Sequence, residues 1–167
     1  DRAATLWEQS CDKEVKDAEK DRDSTRQKAG REFEMAVKWS PRNWYVRSAR
    51  AAYLAMGPQL SVKLARSALI DAKAAAIFEP QKWEHQYSLG LIQMRMNELD
   101  GALESFRNAT RLKPNEAEIH YSYGYTLFEK RMFNVALEEW KYARILDPER
   151  WPYINERLAV CGPKLGL

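Results

Sequence analysis

The side chains of this sequence that could do chemistry are two histidines, two cysteines and many scattered carboxylates. His85 and His120 lie 35 residues apart, and no third or fourth ligand stands near either at the spacing of a zinc site. We therefore expect both to be helix-surface or packing residues, with no metal and no cofactor. The sequence also lacks a glycine-rich phosphate loop, a Gly-x-Ser-x-Gly elbow and a Cys-x-x-Cys pair. These residue types predict that the chain is not an enzyme.

Cys11 and Cys161 are the only two cysteines, and they lie near opposite ends of the chain. A disulfide requires Cα atoms within about 7 Å of each other. If the chain is a stack of helices about 8–10 Å apart, its two ends are separated by several helices. We therefore expect two separate thiols and no bridge between them.

Composition argues against several classes of protein. The 167 residues carry a net charge of +3 with both signs interspersed, so we expect no nucleic-acid partner. No run of about 18 apolar residues occurs, so we expect no membrane span in this segment. The sequence begins at Asp1 and not at a methionine, and we expect a fragment without its native N-terminus. Its compartment stays open between the cytoplasm and a bacterial envelope.

One pattern of residue types is written twice, 34 residues apart, and it predicts the elements that carry these side chains. The first copy contains Gln86, Leu89, Gly90, Leu99, Ala102, Phe106, Ala109 and Pro114. The second copy contains His120, Tyr123, Gly124, Phe133, Ala136, Trp140, Ala143 and Pro148. A fixed period of about this length is typical of a helical array in which each unit is one helix–turn–helix pair.

The residue types within each copy have physical reasons. Gly90 and Gly124 fall inside a helix, where glycine costs up to about 1 kcal/mol relative to alanine, so we expect another helix to approach closely there. The alanines of each copy lie seven residues apart and form a second flat contact strip. Pro114 and Pro148 cannot continue the preceding helix and begin the turn into the next one.

The two copies resemble the tetratricopeptide repeat over nearly the full length of residues 83–116 and 117–150. Gln93 departs from the family pattern, which usually has an aromatic residue there, and Leu127 occupies the same place in the second copy. The resemblance implies an all-α fold, a right-handed α-solenoid of antiparallel helix pairs. It predicts about four units and a C-terminal capping helix.

The unit boundaries follow from the prolines and the spacing. We predict a divergent N-terminal unit over 1–41 and a second unit over 42–82, with an insertion near 57–61. Two regular units follow over 83–116 and 117–150, and residues 151–167 form the capping helix and tail, since a solenoid needs an atypical end. All five segments belong to one solenoid domain.

The resemblance places a ligand groove on the concave face, which is lined by the first helix of each pair. Helical spacing assigns eight residues to it: Tyr45, Tyr87, Leu91, Met94, Arg95, Tyr121, Tyr125 and Phe128. Tyrosines combine a large contact area with a polar tip, which suits a peptide groove. A tyrosine row at helical spacing is also typical of packing between adjacent helices, and the sequence leaves both readings open.

A family subsite for a peptide's terminal carboxylate is missing. Heat-shock co-chaperones of the tetratricopeptide family hold this group with Lys and Asn one helical turn apart on a first helix. Here the corresponding places hold Tyr87 with Leu91 and Tyr121 with Tyr125. No bidentate cationic site is left for a carboxylate. We therefore predict that the chain is not a receptor for chaperone tails.

These observations favour a non-catalytic module that binds a protein partner, as an extended peptide or an amphipathic helix, in the aromatic concave groove. One alternative is a scaffold that self-associates into a homo-oligomer through exposed repeat faces. Another is the soluble repeat domain of a larger bacterial envelope or membrane protein, in which it would position assembly components. RNA binding is disfavoured because the groove residues are hardly basic.

Overall fold

The computed structural model describes residues 20, 24, 25, 27–55 and 62–149, and all helices in those ranges are α-helices with no strand among them. The chain divides into two compact units, Asp1–Pro41 and Arg42–Leu167. The predicted capping helix over 151–167, the insertion near 57–61 and most of the divergent N-terminal unit lie outside the described residues. In the first unit, residues 27–39 form a helix, α1.

Six helices follow in the second unit and pack in three pairs. The first pair is α2 (Trp44–Ala55) and α3 (Val62–Phe78), the middle pair is α4 (Trp83–Arg95) and α5 (Leu99–Leu112), and the last pair is α6 (Ala117–Glu129) and α7 (Phe133–Leu146). α4 also packs against α2 and α3, and α6 packs against α5. The all-α solenoid of adjacent helix pairs that the sequence predicted is confirmed.

Four helices end two residues before a proline: α1 before Pro41, α3 before Pro80, α5 before Pro114 and α7 before Pro148. Proline lacks an N–H, and it disfavours the helical conformation of the residue in front of it. After the first three of these prolines, the next helix begins three residues further on. Proline therefore marks each described boundary between pairs.

The turns inside the middle and last pairs share one backbone conformation at a distance of 34 residues. Asn97 has a φ of 61° and Arg131 has a φ of 62°, both in the left-handed region. The N–H of Asn97 donates to the carbonyl of Met94 (3.0 Å), and the N–H of Glu98 donates to that of Gln93 (2.9 Å). The residues 34 places further on make the same two bonds, each at 2.9 Å. Each turn thus satisfies carbonyls that the helix end leaves open.

An aromatic ring of the second helix lies against a glycine of the first helix in the middle and last pairs. A Cβ atom at Gly90 would lie 2.7–2.9 Å from ring atoms of Phe106, and one at Gly124 would lie 2.7 Å from ring atoms of Trp140. Both rings are fully buried, together with the flanking alanines Ala102, Ala109, Ala136 and Ala143. Any side chain larger than hydrogen at either glycine would displace a ring from the core.

The buried amide of Gln93 is satisfied inside the middle pair. In the orientation that suits both ends of the amide, its nitrogen donates to the Gly101 carbonyl (3.1 Å) and to the Ser105 hydroxyl (2.7 Å). Gln93 and Ser105 are both buried. A hydrogen bond between α4 and α5 therefore takes the place of the ring contact that an aromatic residue would make here.

The first pair has small residues and an ion cluster where the other pairs have a ring. Ala72 stands 34 residues before Phe106 and is fully buried. Asp71, only 2% exposed, pairs with Arg50 and lies 3.0 Å from Nε of Arg47. The two arginines belong to α2 and the aspartate to α3, so the cluster joins the two helices of this pair.

Candidate functional site

The eight residues that the sequence assigned to a groove lie on α2, α4 and α6, and we call their surface the first-helix face. The structure leaves them open to different degrees. Tyr45 is 61% exposed, and Arg95 is also exposed. Four residues are half-buried: Met94, Tyr121, Tyr125 and Phe128. Tyr87 and Leu91 are buried.

Tyr87 lies in the packing between helices and presents little surface to a ligand. Its hydroxyl oxygen lies 3.1 Å from Oγ of Ser122 on α6. Its ring centroid is 5.7 Å from that of Phe106 and 6.2 Å from that of Trp83. Of the two readings that the sequence left open for the tyrosines, intramolecular packing therefore describes Tyr87.

A second pair of hydroxyl groups joins α2 to α4. The buried Ser48 donates to Oγ of Ser88 (2.9 Å), and Ser88 donates to the backbone carbonyl of Glu84 (2.7 Å). Ser48 and Tyr87 are the fifth residues of their helices, whereas Ser88 and Ser122 are the sixth residues of theirs. The same two places on successive first helices are thus linked. Sequence reasoning missed this use of Ser88, although serine at the sixth place of both α4 and α6 was a signal.

The aromatic residues at the α6 end of the face pack around Trp140. Phe128 contacts this indole with ring centroids 5.6 Å apart, and it also contacts Phe133 at 5.3 Å. The indole N–H of Trp140 donates to the backbone carbonyl of Tyr121 (3.1 Å). Tyr121 and Tyr125 pack against the same cluster while keeping part of their surface open. This end of the face is therefore apolar and held in place from below.

Both histidines are buried packing residues with a carboxylate partner. Nε2 of His85 lies 2.9 Å from Oε2 of Glu79. Nδ1 of His120 lies 2.6 Å from Oε2 of Glu139, and its Nε2 donates to the Pro114 carbonyl (2.7 Å). Each ring thus ties a first helix to another element of the fold, and the two rings lie on different helices.

The environment of His120 raises its pKa above the ordinary value of 6.5. Burial is the largest single influence and lowers the pKa, because it disfavours the charged ring. The hydrogen bond to Glu139, the bond to the Pro114 carbonyl and the charge of Glu139 act in the opposite direction and together outweigh burial. The geometry makes His120 a cation held between two acceptors.

Glu84 is the second residue of α4 and lies at the edge of the first-helix face. Its side chain is half-buried, and its Oε2 atom is shut from solvent without a hydrogen-bond partner among the described residues. Tyr45 is the second residue of α2, the helix that packs beside α4. An exposed ring and an under-solvated carboxylate therefore occupy equivalent places on adjacent helices.

The described part of the chain contains no group of three or more His, Cys, Asp or Glu side chains that could hold a metal ion. Within the same ranges, no helix is long and apolar enough to cross a membrane. The arrangement brings together aromatic surface, buried hydroxyl pairs and a few charges. These groups can recognise the surface of another molecule by contact, hydrogen bonding and charge.

Comparison with known proteins bears on the family. Residues 90–130 match a family model described as TPR repeat, that is, the tetratricopeptide repeat. No curated protein matches the chain by sequence. Among solved structures, the chain is similar to TTC0263, a thermophilic TPR protein in Thermus thermophilus, with 22% identity and a TM-score of 0.70. That match covers 84% of this chain and 75% of that one.

Structures of MamA are similar as well. MamA from Desulfovibrio magneticus RS-1 is 23% identical over 75% of this chain and 68% of that one, with a TM-score of 0.60. A further crystal structure of MamA is 17% identical over 83% of this chain and 78% of that one, with a TM-score of 0.68. At these identities the likeness is one of fold. Together with the matched repeat and the observed helix pairs, it identifies this chain as a tetratricopeptide repeat protein.

Proposed function

We propose that this chain is a non-catalytic module that binds a segment of a partner protein, extended or as an amphipathic helix, along the first-helix face. The tetratricopeptide fold supports a role in protein interaction or scaffolding. The observation that carries the finer proposal is the row of open and half-open side chains on that face, from Tyr45 through Met94 to Tyr125 and Phe128. Aromatic side chains of this kind contribute most of the affinity in many interfaces.

Within the face, we assign partner contact to the open residues. Tyr87 and Leu91 are buried, so their role is to support the surface from below. Tyr45 is 61% exposed, and a ring open to that extent gains contact area when a partner covers it. Met94 adds an unbranched and adaptable side chain between the two aromatic ends of the face.

Affinity capture from a lysate of the source organism, read by mass spectrometry, tests this proposal. The test variant is Tyr45→Ala with Tyr125→Ala, because Tyr87→Ala would remove a packing residue and its bond to Ser122. The matched control is Ile70→Ala, which truncates a 65% exposed side chain on α3, a second helix. We expect a protein that the wild type and the control retain and the test variant loses. Equal retention by all three would contradict the proposal.

A second candidate is a self-associating scaffold, and the exposed side of α3 favours it. Ile70 and Ile77 lie seven residues apart on one side of this helix and are 65% and 73% exposed. Apolar side chains arranged in this way suit a symmetric contact between two copies. Light scattering of the wild type and of Ile70→Glu with Ile77→Glu tests this candidate. A dimer that the substitutions dissociate would support it, and a monomeric wild type at high concentration would rule it out.

A further inference from the structure

The carboxylate of Glu84 lacks the partners that a half-buried charge normally has. Its Oε2 atom is buried and accepts no hydrogen bond from any described residue. Removing a charge from water costs free energy unless an opposite charge or hydrogen-bond donors replace the water. A cation placed beside this carboxylate would therefore gain more than one placed beside a fully solvated carboxylate.

The neighbouring polar groups do not supply that cation. The Ser88 hydroxyl donates to the backbone carbonyl of Glu84, and the Ser48 hydroxyl donates to Ser88, so both protons are directed away from the carboxylate. The positive groups of α2 that face the core, Arg47 and Arg50, pair with Asp71 on α3. The charge of Glu84 is thus left to a group from outside the described chain.

Tyr45 defines what kind of cation fits. It is the second residue of α2, as Glu84 is of α4, and these two helices pack against each other. A lysine or arginine has an apolar stem that can cover an aromatic ring while its head stays polar. The ring face also attracts a cation directly. A side chain with both parts can use Tyr45 and Glu84 together.

We propose that the partner segment carries a lysine or arginine whose cationic group pairs with Glu84 and whose stem lies on Tyr45. This inference rests on the proposed function, since it specifies the chemistry of the segment that the first-helix face binds. It also gives the segment a polarity and a register, because the cation lies at the start of α4 and the apolar contacts follow toward Met94 and Phe128. The recognised charge is then positive, the opposite of a chaperone tail's carboxylate.

Selection from a phage-displayed library of random 12-residue peptides tests this inference, with the full chain immobilised. Three parallel selections use the wild type, Glu84→Gln and Glu104→Gln. Glu104 is exposed on α5, a second helix, and serves as the matched control. We expect the wild type and the control to enrich sequences with Lys or Arg at one fixed position. We expect Glu84→Gln to lose that preference while it still enriches the apolar positions.

A synthetic peptide from the wild-type selection then gives the affinities. Replacing its conserved Lys by Gln should weaken binding to the wild type by at least about fivefold and should leave binding to Glu84→Gln nearly unchanged. The peptide substitution alone decides the matter if Glu84→Gln does not fold, which circular dichroism reports. A fivefold loss on the wild type then supports the pairing, and no loss overturns it.

The outcomes separate this inference from the proposed function. Enriched peptides without a fixed cation, or a preference that survives in Glu84→Gln, would overturn the inference and leave peptide binding intact. Loss of the preference in a Glu118→Gln variant but not in Glu84→Gln would also overturn it. If the folded wild type enriches no sequence at all, peptide binding on this face fails and the inference fails with it.

Discussion

Gly90 and Gly124 lower the intrinsic stability of their helices, because glycine inside a helix is about 1 kcal/mol less favourable than alanine. Their place is explained by the rings of Phe106 and Trp140, which occupy the space that a Cβ atom would fill. The sequence predicted a close approach at both glycines. It could not show that the approaching group is a ring of the same pair, because spacing reveals the buried side of a helix and not which neighbour covers it.

Gly124→Ala should therefore destabilise the chain although alanine is the better helix former. The new methyl group would lie 2.7 Å from ring atoms of Trp140 and 3.2 Å from the Ala136 carbonyl oxygen. Overpacking of this kind costs about 1–3 kcal/mol, and we expect that loss in urea unfolding followed by circular dichroism. In a Trp140→Phe background the same substitution should cost less, because the smaller ring leaves room. An alanine variant as stable as the wild type would contradict this packing.

The buried His120 should make stability depend on pH. Its pKa in the folded state is raised above the unfolded value of about 6.5, so the stabilisation is complete below that value. It disappears as the pH rises through the folded pKa. We expect the difference in unfolding free energy between the wild type and His120→Gln to be larger at pH 5.5 than at pH 8.5. A difference that grows toward high pH would show that the sign is wrong.

The helices and turns show which parts of an element the sequence specifies. Prolines and the 34-residue period predicted regular units over 83–116 and 117–150, and α5 and α7 each end two residues before the closing proline. The left-handed residue of each turn was not predicted. Asn97 is a residue type that tolerates this conformation, but Arg131 is not, so only the register between the two turns relates them.

Arg131→Asn should stabilise the last pair. A left-handed conformation costs an ordinary L-residue about 1–2 kcal/mol, and asparagine tolerates it better. We expect a gain of about 0.5–1 kcal/mol in unfolding free energy. The reciprocal change, Asn97→Arg, should lose a similar amount because the middle pair uses the same turn. Changes of the same sign in the two variants would contradict the equivalence of these turns.

The first pair shows an element that composition does not reveal. Charged residues in a helix are usually solvated, so Asp71 gives no sign in the sequence of its 2% exposure. Its burial follows from tertiary contacts, in which Arg47 and Arg50 of α2 face it. Ala72 supplies the space, because a ring at that place would separate the helices and prevent the ion cluster from closing.

Asp71→Asn should destabilise the first pair by about 2–3 kcal/mol. Removing one partner of a fully buried ion pair costs about 3–5 kcal/mol, and the arginines here keep 25% and 17% of their side-chain surface. The control is Asp100→Asn, whose side chain is 87% exposed and pairs with Lys130 at 2.7 Å. It should change stability by less than about 1 kcal/mol. Equal effects in urea unfolding would mean that the Asp71 cluster does not hold α2 and α3 together.

At the scale of the second unit, contacts between neighbouring helices carry the structure. Hydroxyl pairs join α2 to α4 through Ser48 and Ser88, and α4 to α6 through Tyr87 and Ser122. The sequence predicted the array because the period alone specifies it. It could not predict these bonds, because the residues are 40 and 35 places apart and their alignment depends on how neighbouring pairs pack.

The candidate site was predictable only in outline. Helical spacing identified the side of the first helices on which Tyr45 and Tyr125 lie, and the structure leaves part of both residues open. It also placed Tyr87 and Leu91 there, which the structure buries. The distinction depends on how closely the next first helix approaches. Helical periodicity within one segment contains no information on that distance.

Site-specific photo-crosslinking tests the central claim, that a partner segment lies on the first-helix face. A photoreactive phenylalanine would replace Tyr45 or Tyr125 on the first helices, and Ile70 or Ile145 on the second helices, all in the full chain. Ile145 is 71% exposed on α7 and gives a matched probe at the last pair. After irradiation in a lysate of the source organism, we expect one adduct of the same mass from positions 45 and 125 and none from positions 70 and 145. Adducts from the second-helix positions alone would contradict the claim and place the interaction on the opposite side of the helix pairs.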